Sequence, residues 1–203
     1  MHSSESTLEV AGAFEARPLT PDRWGDLEKL FGKSGAYSGC WCMWWRFTGP
    51  EWSANRGEGN KAAFHELVKS GEVPGILGYL DREPAGWCAI APRDAHKRLK
   101  EERVRIFKKV DDAPVWTITC FYVGKAYRRK GLMLSLLNAA VEYAKSQGAT
   151  IIEGYPLDTD GEKKADPSAY TGLMSTFVKA GFVEVLRRHA GRPIMRYFVT
   201  SDE

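Results

Sequence analysis

Three adjacent cations, Arg128, Arg129 and Lys130, precede Gly131 and an apolar run beginning at Leu132 and Met133. If that run is a helix, positive side chains sit at its N-terminus, where the macrodipole disfavours them by about 0.3–1 kcal/mol each. The arrangement makes physical sense where an anion binds. First-turn N–H groups have no intrahelical acceptor and can donate to it. Gly131 carries no Cβ, so a phosphate can come close to the backbone there. Taken alone, the same residues also fit a solvated basic turn with Gly131 as a simple start to the helix.

Such a turn needs a strand before it and a helix after it. Val115–Val123 is rich in β-branched and aromatic residues and long enough for a central strand. Met133, Leu136, Leu137, Ala140, Val141 and Ala144 recur at offsets of three and four, one face of a helix that Gly148 ends. Thr150–Tyr155 reads as strand again, so this stretch is a right-handed crossover between parallel strands. Upstream, Phe14–Leu19 reads as a strand, with Thr20 as N-cap and Pro21 as first residue of a helix to about Phe31. An aromatic segment, Gly39–Arg46, precedes a helix over roughly 61–69. Strands Gly75–Leu80 and Ala85–Ala91 form a hairpin at residues 81–84, and Asp94–Glu102 reads as a short exposed helix. Downstream, a helix ends at Gly181, and Phe182–Arg188 and Ile194–Val199 close as a hairpin over Ala190-Gly191. The fold class is α/β (α+β): a mixed, mostly antiparallel central sheet with one parallel βαβ crossover.

At 203 residues the chain suits one well-filled core. Residues 1–11 read as a disordered lead and 12–203 as a single domain. The formal net charge of +3 is too small to make nucleic acid the main partner. The polar N-terminus carries no signal-peptide core, and nothing approaches the ~18 apolar residues of a membrane span. With no export signal, Cys40, Cys42, Cys88 and Cys120 are expected as reduced thiols and the protein as cytoplasmic. Cys40-x-Cys42 lacks the spacing and partners of a zinc knuckle, so no metal is expected. His65 and His189 are isolated and read as structural.

The run Val123-Gly-Lys-Ala-Tyr127-Arg128-Arg-Lys-Gly131-Leu-Met133, with the later Phe177-Val-Lys-Ala-Gly181-Phe182, resembles the GNAT superfamily of acyl-CoA N-acyltransferases. It is also similar to bacterial members with an early Gly-Cys-Trp-Cys and a late Arg-Pro-Ile-Met-Arg. The likeness covers residues 75–199, a cofactor-binding core. Residues 12–74 then fall on the acceptor side. It implies a GNAT-like fold and acetyl-CoA as cofactor. An acetyl group would pass to a primary amine by direct attack in a ternary complex, on a small-molecule or peptide acceptor, by a monomer or homodimer. It further implies a cofactor site at Phe121, Val123, Arg128, Arg129, Lys130, Gly131, Leu132, Met133, Leu134 and Phe177. The Val123 N–H would donate to the thioester carbonyl. Met133 replaces the small residue usual in this loop, and Phe177 stands where the family often places a proton-donating Tyr. That second departure keeps a non-catalytic acyl-CoA-binding or regulatory module as the alternative.

A lysine-type amine has a pKa near ~10.4, so the reaction needs a base or a desolvating pocket. Glu153, Asp158 and Tyr122 are candidates, with Glu153 first because Ile151, Ile152 and Tyr155 surround it in sequence and burial would raise its pKa. A strand-edge glutamate facing water is the other reading. Tyr170 and Tyr122 are candidate proton donors, and Tyr170 is expected on a loop after Asp166-Pro167. Trp41, Trp44, Trp45 and Trp52 either hold a cationic amine or form a hydrophobic cluster. Arg187, Arg188, Arg192 and Arg196 make the closing hairpin basic, as an anion contact or as a solvated face.

Overall fold

The computed structural model describes residues 12–159 and 169–200. The lead over 1–11 and the Asp166-Pro167 segment lie outside them. In chain order the elements are β1 (Phe14–Pro18), α1 (Trp24–Phe31), α2 (Gly49–Ala54), α3 (Glu58–Lys69), β2 (Gly75–Leu80), β3 (Glu83–Pro92), β4 (Trp116–Val123), α4 (Leu132–Ser146), β5 (Ile151–Gly154), α5 (Met174–Lys179), β6 (Val183–His189) and β7 (Arg192–Phe198). The strands form one 7-stranded sheet in the order β1-β2-β3-β4-β5-β7-β6. Every neighbouring pair is antiparallel except β4–β5, which is parallel. The mixed sheet with its single βαβ crossover is the fold class expected above.

The apolar period of α4 explains its seat. Leu136, Leu137, Ala140, Val141 and Ala144 are buried on one side of the helix. They meet Ile76, Cys88, Ile90, Ile118 and Phe121 from the sheet. Each fully buried leucine contributes about 1.5–3 kcal/mol. On the other face, Leu27 and Phe31 of α1 and Phe64 and Val68 of α3 pack on Leu77 and Trp87. Neighbours such as Ile76 and Leu77 therefore serve opposite layers, as strand alternation requires.

Three local readings are corrected. Thr20 makes no side-chain cap; its hydroxyl donates to Asp22 instead, at 2.5 Å, and a 3-10 turn at Pro21–Arg23 precedes the α-helix, which starts at Trp24. A helix at Gly49–Ala54, unread in the sequence, is opened by a Thr48/Glu51 capping box. The expected exposed helix over Asp94–Glu102 is a chain of 3-10 turns with Arg93, His96, Arg98 and Leu99 buried. Buried acceptors draw the arginines in, so the segment folds inward rather than along a solvent-facing helix.

β4 is irregular at its middle. Ala89 pairs with Cys120 and Ile90 with Ile118, which leaves Thr119 as one extra residue, a β-bulge. Thr119 and Cys120 consequently face the same side, where both line a cavity beneath Trp45 and Trp87.

Candidate active site

β4 and β5 pair only over Trp116–Ile118 and Ile152–Gly154, and beyond that they part. Among the described residues, the second half of β4 thus has no strand partner on that side. Gly124 N–H donates to Ala85 O, toward β3, whereas Phe121 N–H points away from β3 and donates to Tyr170 O at 2.6 Å. By the alternation of a strand, the Val123 N–H points as Phe121's does, into the gap. Residues 170–173 bridge the gap lower down: Leu157 N–H donates to Gly172 O and Leu157 pairs with Leu173.

At the top of the gap the chain turns into α4. Arg128 Nε donates to Val123 O at 3.1 Å, tying the turn to the strand end. Arg129 (φ 61) and Gly131 (φ 77) both adopt left-handed backbone. A non-glycine residue there costs about 1–2 kcal/mol. The turn closes on the Leu134 N–H to Gly131 O bond. Leu132 is buried against Leu80 and Ala85, and Met133 is half-buried against the α4 core, so both anchor the helix start. Arg129 and Lys130 are exposed beside the first-turn amides. Lys130 Nζ lies 5.8 Å over the Tyr127 ring.

The candidate acid and base groups fall elsewhere. Glu153 is 1% exposed but far from apolar company. Its Oε1 lies 3.0 Å from Arg93 Nη1, its Oε2 2.9 Å from Arg196 Nε, and Tyr155 donates to it at 2.6 Å. The picture of a lone carboxylate among apolar neighbours is therefore corrected: two guanidiniums and the Tyr155 hydroxyl engage both of its oxygens. Asp158 pairs with Arg187 at 2.8 Å. Phe177 is fully buried, wedged so tightly that a Cβ on Gly154 would lie 2.2 Å from its ring and one on Gly172 2.6 Å. Edge contacts to Phe121 and Phe182, at 6.2 and 4.8 Å, complete its seat. Its ring is committed to the core. Tyr122 lies edge-on to Phe31 at 5.6 Å, on the α1–α3 face. Tyr170 stacks on Trp45 at 6.4 Å, and burial, then Cys120, pushes its hydroxyl pKa up, which keeps the proton a donor must carry.

The aromatic segment is largely committed as well. Trp41 and Trp45 are buried, and Trp44 meets Trp52 edge-on at 4.9 Å. Their faces carry the chain's own cations: Arg98 lies 3.9 Å over Trp44, Lys61 4.9 Å over Trp41 and Arg56 5.6 Å over Trp52. The basic hairpin is tied down too. Arg196 pairs with Asp111 and Glu153, Arg187 with Glu184 and Asp158, and Arg188 donates to the carbonyls of Lys108 and Lys109. Arg192 donates to Thr171 at 2.7 Å.

No motif or spacing in the chain singles out His96. It is buried under the β4 bulge, with Nδ1 2.7 Å from Thr117 Oγ1 and Nε2 3.4 Å from Thr119 Oγ1. Burial, then the Arg46 and Arg93 charges, holds its pKa well below the ordinary value, so the imidazole is neutral. Burial also raises the Cys40 and Cys42 thiols. Among the described residues no group of three His, Cys, Asp or Glu side chains is arranged to hold a metal ion. None of the described helices is long and apolar enough to cross a membrane.

A strand edge opened beside its parallel neighbour and a cation-rich glycine turn leading into the crossover helix mark an α/β protein with an anion site at the helix start. Residues 41–159 match the Acetyltransferase (GNAT) family, and the chain belongs to that family. Solved structures share the fold. A GNAT-family acetyltransferase from Streptococcus agalactiae is 14% identical over 93% of this chain and 96% of its own, with a TM-score of 0.53. PaiA N-acetyltransferase from Thermoplasma acidophilum, in complex with coenzyme A, is 13% identical over 92% and 99%, with a TM-score of 0.51. YncA from Salmonella typhimurium, with its cofactor acetyl-CoA, is 13% identical over 92% and 94%, with a TM-score of 0.52. At such identities the likeness is one of fold. No curated protein matches this sequence.

Proposed function

We propose that this acetyltransferase moves an acetyl group from acetyl-CoA to a primary amine of a small-molecule or peptide acceptor, by direct attack within a ternary complex. Acetyl-CoA supplies an activated thioester whose thiol leaves readily. The rest falls to the chain. First-turn amides from Gly131 onward, flanked by Arg129 and Lys130, fit a diphosphate. The open edge of β4 fits an extended arm that takes strand-like hydrogen bonds, with Val123 N–H directed into the gap. A donor so placed stabilises developing negative charge on a carbonyl oxygen by a few kcal/mol in a dry site. Positioning supplies much of the rate, and no enzyme nucleophile is required.

The observation that carries this reading is the open β4 edge leading directly into the left-handed turn at Arg129 and Gly131. The acid and base are left to other groups than Glu153 and Phe177. Tyr170, whose hydroxyl burial keeps protonated, suits the proton donor. A second reading, a non-catalytic acyl-CoA-binding module, is favoured by Phe177, which offers no hydroxyl and no exposed surface. Release of free thiol from acetyl-CoA across an amine panel separates the two. Turnover with any amine supports the enzyme. Tight coenzyme A binding without turnover supports the module.

A further inference from the structure

The α1–α3 face of the sheet contains a cavity of about 20 Å³ at the β4 bulge. Its lining includes Trp45, Arg46, Trp87, His96, Thr119 and Cys120. Three of these carry a buried donor with no partner: Trp45 Nε1, Arg46 Nη2 and Trp87 Nε1. Buried polar groups are satisfied in the great majority of cases, and each orphan costs about 1–3 kcal/mol. Three orphans around one small space point to a missing occupant. All three are N–H groups, so the occupant accepts and does not donate.

Charge narrows it further. Arg46 is 7% exposed; its ion pair to Glu72 at 2.5 Å engages Nη1, and its buried Nη2 has no partner among the described residues. His96 is neutral and adds no negative charge. One water has two lone pairs, too few for three N–H donors, and Arg46 Nη2 is a charged donor that bonds most strongly to an anion. The volume admits the head of a small molecule, not a whole metabolite. A carboxylate head meets all of these demands, since two oxygens can accept several N–H bonds and match a guanidinium.

Arg46, Trp45 and Trp87 are buried, whereas Cys40, Cys42, Trp44 and Cys120 of the same lining are half-buried. Cys120 adjoins Phe121 and stands three residues before Val123, so the lining includes the strand whose edge is open.

We infer that this chamber is an anion subsite for the acceptor, binding a carboxylate through Arg46, Trp45 and Trp87 and so selecting amines that also carry an acid group. The inference rests on the acetyltransferase reading for its chemistry and on the orphaned donors for its place. The test uses glycine, β-alanine and 5-aminopentanoate as acceptors, each against its own amide, with formate as the bare carboxylate. At least one acid is expected to show a KM at least about tenfold below its amide's, the range of a hydrogen bond to a charged group. Arg46→Met and Trp45→Phe close that gap, with the larger effect on KM rather than kcat. Trp45→Phe keeps the ring and removes only the N–H, so it serves where Arg46→Met fails to fold. Equal KM values for acid and amide in every pair, or a gap that both variants leave intact, overturn the subsite. If no amine turns over, the enzyme reading fails and formate decides the subsite alone. Saturable change in tryptophan fluorescence that Trp45→Phe weakens sustains it, and no saturable change overturns it.

Discussion

The two faces of the sheet are filled by different means. On the α4 side, a regular apolar stripe from Leu136 to Ala144 meets a regular set of strand residues, and burial alone accounts for the contact. On the α1–α3 side, the segment before α2 carries four non-glycine residues at positive φ: Ala36, Ser38, Trp41 and Cys42. Each costs about 1–2 kcal/mol, and such backbone persists only where its surroundings fix it. Four tryptophans, their own stacked cations and a set of buried donors provide that fixing. The first face is built to hold one helix start in place. The second is built around a recess.

The strongest challenge to this contrast is Gly131→Glu. It sets a carboxylate, and a side chain at φ 77, against the proposed diphosphate site. Coenzyme A affinity is expected to fall by more than about a hundredfold with the circular dichroism spectrum retained; unchanged affinity by calorimetry removes the site from α4. Next comes Glu153→Leu, which leaves Arg93 and Arg196 buried without their shared anion. A loss of about 3–5 kcal/mol in denaturant unfolding is expected. The milder Glu153→Gln should leave the shape of the pH–rate profile unchanged, and a shifted profile would return Glu153 to the reaction.

A smaller effect concerns acid. The folded pKa of His96 is depressed, so below the unfolded value near ~6.5 the unfolded chain takes up a proton that the native state does not. Its contribution is present above about pH 6.5 and is lost as the pH falls, at up to about 1.4 kcal/mol per pH unit. Unfolding midpoints between pH 7.5 and 5 should show this slope, and His96→Asn should flatten it. The smallest test compares two caps. Thr48→Ala removes a bonded cap and should cost about 1 kcal/mol, whereas Thr20→Ala, at a threonine that caps nothing, should cost only a few tenths. Equal losses in thermal unfolding would contradict the cap geometry.

Legibility in the sequence follows the same division. The crossover, its helix and the cation-rich turn lie within one stretch whose 3.6-residue period and Gly131 are local signals, and the structure has them where the sequence implied. Thr48 and Glu51 also carry a local signal, a capping box with Pro50 in the first turn. The rest had no local trace. Glu153 looks apolar along the chain because its partners stand 60 and 43 residues away, on Arg93 and Arg196. His96 and the recess arise only when the turns after β3 fold under β4. In Val115–Val123 the alternation of Trp116, Thr117, Ile118 and Thr119 runs into the apolar Cys120–Val123, which hides the change of parity at the bulge.

That bulge has a consequence for how such a strand can vary. Trp116 and Ile118 look toward α4 before it, and Phe121 and Val123 after it, so the parity of the numbering switches while the side of the sheet does not. Thr119 is thus a residue the core never counts. Excising it would return β4 to plain alternation with every apolar side chain still on its present side, and what would vanish is one hydroxyl and the kink that turns it toward His96. The roof of the recess can therefore be remodelled one residue at a time, without disturbing the layer that carries the helix.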